Sequence, residues 1–277
     1  MKKADNQGFF SKLAIIIKNN KAKCILHGVL KLHTVLCLIY GLFVGKSLFA
    51  WYSFITLLLF LIPTLMQVIL KIELPFSLEA TVMLFIWAAM VLGDVYDFYV
   101  LLPQWDTFLH TVTGFVAAAI GIGLINIMNK DNKFTLKLSS LFVAVFAFSF
   151  SMMVGAMWEL FEFMVDSFGA TNMQKDTLLE TVKYSVTAID GSIIEGTIKD
   201  ISEIQFILKD GSIAAPGILG YMDMGLIDSI EDMFVNFIGA LVFSVIAYFY
   251  VKTGGKYKAL NSFVEIKKQD PLRHIKN

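Results

Sequence analysis

Apolar residues fall in six separated runs along the chain, each bounded by polar or basic residues. The runs predict transmembrane helices at 26–45, 48–70, 78–100, 106–128, 138–165 and 229–251. An α-helix needs about 20 apolar residues to cross a hydrocarbon core, and each run supplies about that many. The first run is the least regular, because it contains His27, Lys31 and His33. Lys31 can snorkel from a helix end. The expected fold is all-α, a polytopic transmembrane helical bundle of about six spans with a small β-rich outer loop. Its segments are a basic stretch at 1–25, helices one to five at 26–166, a loop at 167–227, helix six at 228–251 and a basic tail at 252–277.

Composition agrees with this reading and excludes an ordinary soluble domain. The chain is 57% hydrophobic and only 17% charged, against roughly 45–50% and 25% in globular proteins. The net charge of zero hides a segregation. Six Lys precede the first run, Lys130, Lys133 and Lys137 occupy the 129–137 loop, and seven Lys or Arg follow from Lys252. The positive-inside rule puts all three segments, and both termini, on the cytoplasmic side of a plasma or inner membrane. The 167–227 loop then lies outside, with four Lys against eight Asp or Glu. The basic start followed by an apolar run has the outline of a secretory signal. No small-residue cleavage site follows, so a retained first helix is expected. The stretch at 9–17 reads equally as a surface-lying helix or as part of a solvated basic tail. Cys24 stands at the start of the first run and Cys37 within it, and no disulfide framework is expected.

Within the outer loop, 183–214 is rich in Ile, Val and Thr. It carries Asp190-Gly191 and Asp210-Gly211, pairs that favour hairpin turns. A β-rich excursion acting as a lid or partner surface and a merely ordered loop both fit.

Nine carboxylates change the picture: Asp94, Asp97, Asp106, Glu159, Glu162, Asp166, Asp228, Glu231 and Asp232 lie in or beside membrane-length stretches. No Lys or Arg occurs between Lys71 and Lys130, Lys137 and Lys175, or Lys209 and Lys252. Acids near a bilayer are costly unless paired, protonated or bound to a metal. The predicted topology maps all nine to the outer leaflet, where four helices can point their polar ends at a common chamber.

The spacings sharpen this. Asp106 and His110 are four apart on one helix face. Glu159, Glu162 and Asp166 share a narrow wedge, and Asp228, Asp232 and Asn236 form a stripe at intervals of four. Asp106 and Asp228 also stand where spans begin, so helix capping is an equal reading for them. Asp94 and Asp97 fit interfacial hydrogen bonding better than a site. Glu159 and Glu162 approach the predicted end of span five, where the helix dipole disfavours acids and a proton or cation is called for. Asp106, His110, Glu159, Glu162, Asp166, Asp228, Asp232 and Asn236 are therefore the candidate metal ligands. Carboxylates with one imidazole and one amide suit a divalent metal: Mg²⁺, Mn²⁺, Ca²⁺ or Zn²⁺. His110, Glu159, Glu162 and Asp232 are the candidate catalytic groups. Neither an HExxH nor a GxSxG signature is present. Gly114, Ala118, Gly121, Gly123, Gly155 and Gly239 predict close packing of spans four, five and six.

WDTFLHTVTG at 105–114, WELFEFMVD at 158–166 and DSIEDMFVNFIGA at 228–240 together resemble the YjdF-like family of bacterial integral membrane proteins. The resemblance runs from about Gly93 to about Tyr250. It implies that Asp106, His110, Glu159, Glu162, Asp228, Asp232 and Asn236 match the family's motif positions, and it supplies no reaction. The loop at 181–215 is longer than expected for that family.

Two functions follow as expectations. One is a metal-dependent membrane enzyme acting on a lipid or lipid-linked substrate. The other is a proton- or cation-coupled transporter of an ion or small molecule. A structural or regulatory membrane protein is the third reading. Membrane lipid is the expected surrounding partner, and no nucleic acid is expected.

Overall fold

The structure, a computed structural model, describes residues 21–70, 72–130, 138–169, 171–214, 219–223, 225–256, 260, 263–264 and 267–268. The stretch at 9–17 lies outside these residues. The fold is all-α apart from small antiparallel strand pairs. Six helical spans are long and apolar enough to cross a membrane: Lys21–Phe43, Ser47–Ile69, Phe76–Val95, Trp105–Met128, Ser140–Phe168 and Leu226–Lys252. Each falls on an expected run. Large apolar side chains stand exposed along them, among them Leu32, Phe43, Phe142 and Val245, as helices facing lipid require. This is an integral membrane protein.

Two compact units divide the chain: residues up to Gly155 together with those from Val235 onward, and Ala156–Phe234. In the first, α1 (Lys21–Phe43) buries Lys23, His27, Leu30, Thr34, Cys37 and Gly41. That alternation of fours and threes is one helix seam. At its end Gly41 lets the chain turn back, since a Cβ there would lie 2.8 Å from the Ala50 amide nitrogen. The second span is broken, with α2 (Ser47–Leu59) ending before α3 (Ile62–Leu70). Pro63 sits in the first turn of α3, where its missing N–H costs no helix hydrogen bond. β1 (Ile72–Glu73) leads into α4 (Phe76–Trp87), which continues as a π-helical segment, Ala88–Val95. Span three stops at Val95 rather than near 100, because Asp97 takes left-handed backbone at φ 58°. A single helical turn, α5 (Phe98–Leu101), follows it.

α6 (Trp105–Lys130) is the most buried span and supplies Val116, Ala118, Ala119, Ile122 and Ile125 to the main core. Val143 and Ala147 reach it from α7 (Ser140–Phe168), and Phe243 and Ala247 from α8 (Leu226–Lys252). The small residues work as the sequence predicts. A Cβ at Gly114 would collide with the Asn236 carbonyl oxygen, and one at Gly239 with that of Thr111. Val264 is buried in the same core, its carbonyl accepts a 2.9 Å bond from Asn126 Nδ2, and β6 (Lys267–Lys268) pairs antiparallel with β1.

The second unit holds the C-terminal part of α7, the N-terminal part of α8 and the segment between them. β2 (Leu178–Leu179) pairs with β5 (Tyr221–Met222), and β3 (Val182–Thr187) with β4 (Ile193–Ile198). The β3–β4 turn carries Asp190-Gly191, with Gly191 at φ 81°, as the Asp-Gly pair predicts. The second pair behaves alike: Gly211 has φ 83° beside a bridge between Ile207 and Ile213.

Candidate metal centre

Glu159 and Glu162 lie three apart on α7, and Asp232 projects from α8 within the same unit, Ala156–Phe234. All three are buried, at 7%, 6% and 3% exposure. One carboxylate oxygen of each lies within 4.8 Å of those of the other two. An oxygen of Asp228, one turn before Asp232, comes within the same distance of Asp232. Trp158 Nε1 donates to Glu162 Oε1 at 2.8 Å, fixing one side of that carboxylate.

Glu159 and Glu162 do not stand at a helix end. α7 runs on to Phe168, so both stand well inside its last turn, where the macrodipole no longer reaches strongly. Burial and mutual repulsion are the stronger grounds. Three full charges at such a separation repel by on the order of 3 kcal/mol per pair at an intermediate dielectric. Asp166 does lie in the last turn, and its carboxylate serves the chain that follows. It accepts from Thr171 Oγ1 at 2.7 Å and from the amides of Met173 and Gln174 at 2.8 Å each.

The segment after Asp166 contributes a residue that sequence pattern does not reveal. Gln174 Nε2 donates to the Glu159 backbone carbonyl at 3.3 Å and to Ser229 Oγ at 2.7 Å, tying α7 to the start of α8. The neighbouring Lys175 amide donates to Asp228 Oδ2 at 2.9 Å. Neither periodicity nor composition marks Gln174, because its role depends on a loop returning between two helices. Asp228 is not the cap residue. α8 starts at Leu226, and Asp223 accepts from the Ile227 amide at 2.8 Å and the Thr177 amide at 2.6 Å. Asp228 and Asp106 instead stand in the first turns of their helices, where the dipole favours acids. Glu231 is exposed, off the stripe.

In the other unit, His110 Nε2 lies 3.6 Å from Asp106 Oδ1, and the imidazole is buried. Asn236, 1% exposed, fills the space that Gly155 leaves open. Its Nδ2 points at the Ser151 carbonyl oxygen at 3.4 Å, while Ser151 Oγ donates to the Gly114 carbonyl at 2.7 Å. Asn236 Oδ1 is buried with no hydrogen-bond partner among the described residues. Asp94 and Asp97 line a cavity of their own in this unit.

One embedded acid lies outside the nine, and it overturns the assignment of every such acid to one leaflet. Glu79, near the start of span three, is 2% exposed, ion-paired with Lys23 and hydrogen-bonded with His27, whose Nε2 lies 2.8 Å from Oε1. Gln67 Nε2 donates to the same carboxylate at 3.1 Å, and Lys23 Nζ also reaches the Leu74 carbonyl at 3.0 Å. Lys23 and His27 lie 56 and 52 residues from Glu79, so no local period in the sequence joins them. His33 likewise has specific partners, accepting from Trp87 Nε1 at 3.2 Å and contacting the Tyr96 hydroxyl at 3.2 Å. Cys24 and Cys37 are both free.

No curated protein and no solved structure matches this chain. A family model does match, over residues 26–253, from within the first span to the end of the sixth, and it includes every acid of the candidate centre. The chain belongs to the family described as predicted membrane protein (DUF2238), in agreement with the YjdF-like resemblance of its three motifs.

Proposed function

We propose that the protein is a membrane-embedded enzyme that holds a divalent cation on Glu159, Glu162 and Asp232 and acts on a lipid or lipid-linked substrate at the outer leaflet. The observation that supports this is the convergence of three buried carboxylates within 4.8 Å of one another. An all-oxygen set of this kind suits Mg²⁺, Mn²⁺ or Ca²⁺, and an added imidazole extends the choice to Zn²⁺. Asp228 and Asn236 join the proposal as further oxygen donors on the Asp232 stripe, and Asp106 as one on the sequence pattern. A bound divalent ion supplies Lewis acidity toward a phosphoryl or acyl oxygen and lowers the pKa of water. His110, oriented by Asp106, is the group assigned to move the proton.

Metal content by mass spectrometry on detergent-purified protein tests the reading, with wild type beside Glu159→Gln/Glu162→Gln. A stoichiometric divalent ion present in wild type and lost in the variant supports it. Absence from both after reloading with Mg²⁺, Mn²⁺, Ca²⁺ and Zn²⁺ overturns it. Hydrolysis assays on lipid vesicles then test the reaction class.

One observation favours a second reading, a proton- or cation-coupled transporter. The buried Glu79, Lys23, His27 and Gln67 network lies where spans one and three begin, the inner side in the proposed orientation. Polar groups on both sides of the membrane, beside a broken second span, are transporter features. Ion uptake into proteoliposomes under a pH gradient distinguishes it from the enzyme.

A further inference from the structure

The turn between α1 and α2 and the end of the third span together line an open cavity of about 540 Å³. Gly45, Lys46, Ser47, Leu48, Phe49 and Tyr52 form one side. Gly93, Asp94, Val95, Asp97, Tyr99 and Val100 form the other. All belong to one unit. The volume falls within the usual range for small-ligand pockets, roughly 300–1,000 Å³.

The lining is chemically specific. It offers two carboxylates, one ammonium on the facing segment, and two tyrosine rings. Carboxylates and aromatic faces attract an organic cation, the rings through their quadrupoles. Lys46 offers the opposite, an exposed cationic head for an anion. A ligand that satisfies both carries an amine and a phosphate a few bonds apart.

Local backbone shapes the wall to suit. Gly93 leaves the room that the Tyr99 ring occupies, because a Cβ there would collide with it. The π-helical turns from Ala88 to Val95 end beside Asp94, and such turns recur at functional sites. Leu48 and Val100 on the lining, with Leu101 next to it, are exposed apolar side chains at the same end of the spans. That places hydrocarbon-compatible surface beside the polar lining, as a lipid with its head group inserted requires.

We propose that this cavity binds a phosphate ester of a small amine, the chemistry of a zwitterionic phospholipid head group, with Asp94, Asp97, Tyr52 and Tyr99 on the amine and Lys46 on the phosphate. The assignment is independent of the cation centre, uses none of its residues and stands if that centre binds no ion.

Native mass spectrometry of the full chain tests it, in mixed micelles holding equal phosphatidylethanolamine and phosphatidylglycerol. Wild type is expected to retain the amine-bearing lipid about tenfold over the glycerol lipid, the effect of one charge-assisted contact. Asp94→Asn/Asp97→Asn removes that preference. Lys46→Met, at an exposed position that leaves folding unaffected, weakens retention of the amine-bearing lipid while the amine selectivity persists. Addition of free phosphoethanolamine separates the sources. Displacement of the lipid by it marks a soluble phospho-amine as the ligand, and persistence of the lipid marks the head group. Equal retention of both lipids by wild type overturns the proposal. So does a preference that survives in the double variant.

Discussion

Lys23 and Glu79 form an ion pair with almost no solvent access, joining the start of the first span to the start of the third. His27 engages the other carboxylate oxygen and Gln67 shares Oε2, so the charge is compensated on several sides. Breaking one partner of such a pair leaves an isolated buried charge, which costs about 3–5 kcal/mol. Glu79→Met and Lys23→Met are each expected to lower stability by about 3 kcal/mol in detergent. Lys23→Met/Glu79→Met is expected to regain most of that loss, because apolar replacement of a whole buried pair is often neutral. Thermal unfolding of the three variants checks this. Additive losses in the double variant would show that the pair has no coupling.

Gly114 marks a close approach of α6 and α8, where the Asn236 carbonyl occupies the room of a side chain. Gly114→Ala is expected to push the helices apart and lower stability by about 1–3 kcal/mol, the usual cost of overpacking. Gly28 provides the contrast, because a Cβ added there would meet nothing within 4 Å. Gly28→Ala is expected to be neutral or slightly stabilising, since Ala is the better helix former. The two midpoints, compared in one detergent, decide it.

The six spans are legible in the sequence because membrane helices satisfy their backbone internally, so length and apolarity nearly determine them. The Asp-Gly turns at 190–191 and 210–211 are legible because left-handed backbone favours Gly. Glu79 is not, since its partners lie 52 and 56 residues away and no local period connects them. Gln174 is hidden for the same reason. The apolar run stops three residues short of the true end of α7, which is enough to exaggerate the dipole argument for Glu159 and Glu162.

Asp223 connects pH to the start of α8. Burial pushes its carboxyl up, but the amides of Ile227, Thr177 and Gly225 outweigh burial and hold it below the usual carboxylate range. A depressed folded pKa contributes stability above the unfolded value, about 3.9. That contribution disappears as pH falls through the folded pKa. Asp223→Asn is therefore expected to lower stability by about 1 kcal/mol at neutral pH, and the gap should close in strong acid. Hydrogen exchange at Thr177 and Ile227, followed from neutral pH downward, reads this locally. A gap that widened on acidification would contradict the sign.

Asn236 carries the last prediction. It lies one turn after Asp232 on the unbroken α8, buried, with Nδ2 engaged and Oδ1 unpartnered among the described residues. A buried amide oxygen without a donor is costly, and an oxygen-seeking cation is one of the few things that satisfies it. On the proposed function, Asn236→Leu is expected to weaken divalent-ion binding about tenfold, one ligand's share at about 1.4 kcal/mol. Asn236→Asp, which keeps the oxygen and adds charge, is expected to hold or raise the affinity. Competition against a fluorescent chelator measures both, with thermal unfolding alongside. Equal affinity in wild type and Asn236→Leu would reduce Asn236 to a packing group between Gly155 and Gly114 and leave the ion, if bound, to the carboxylates alone.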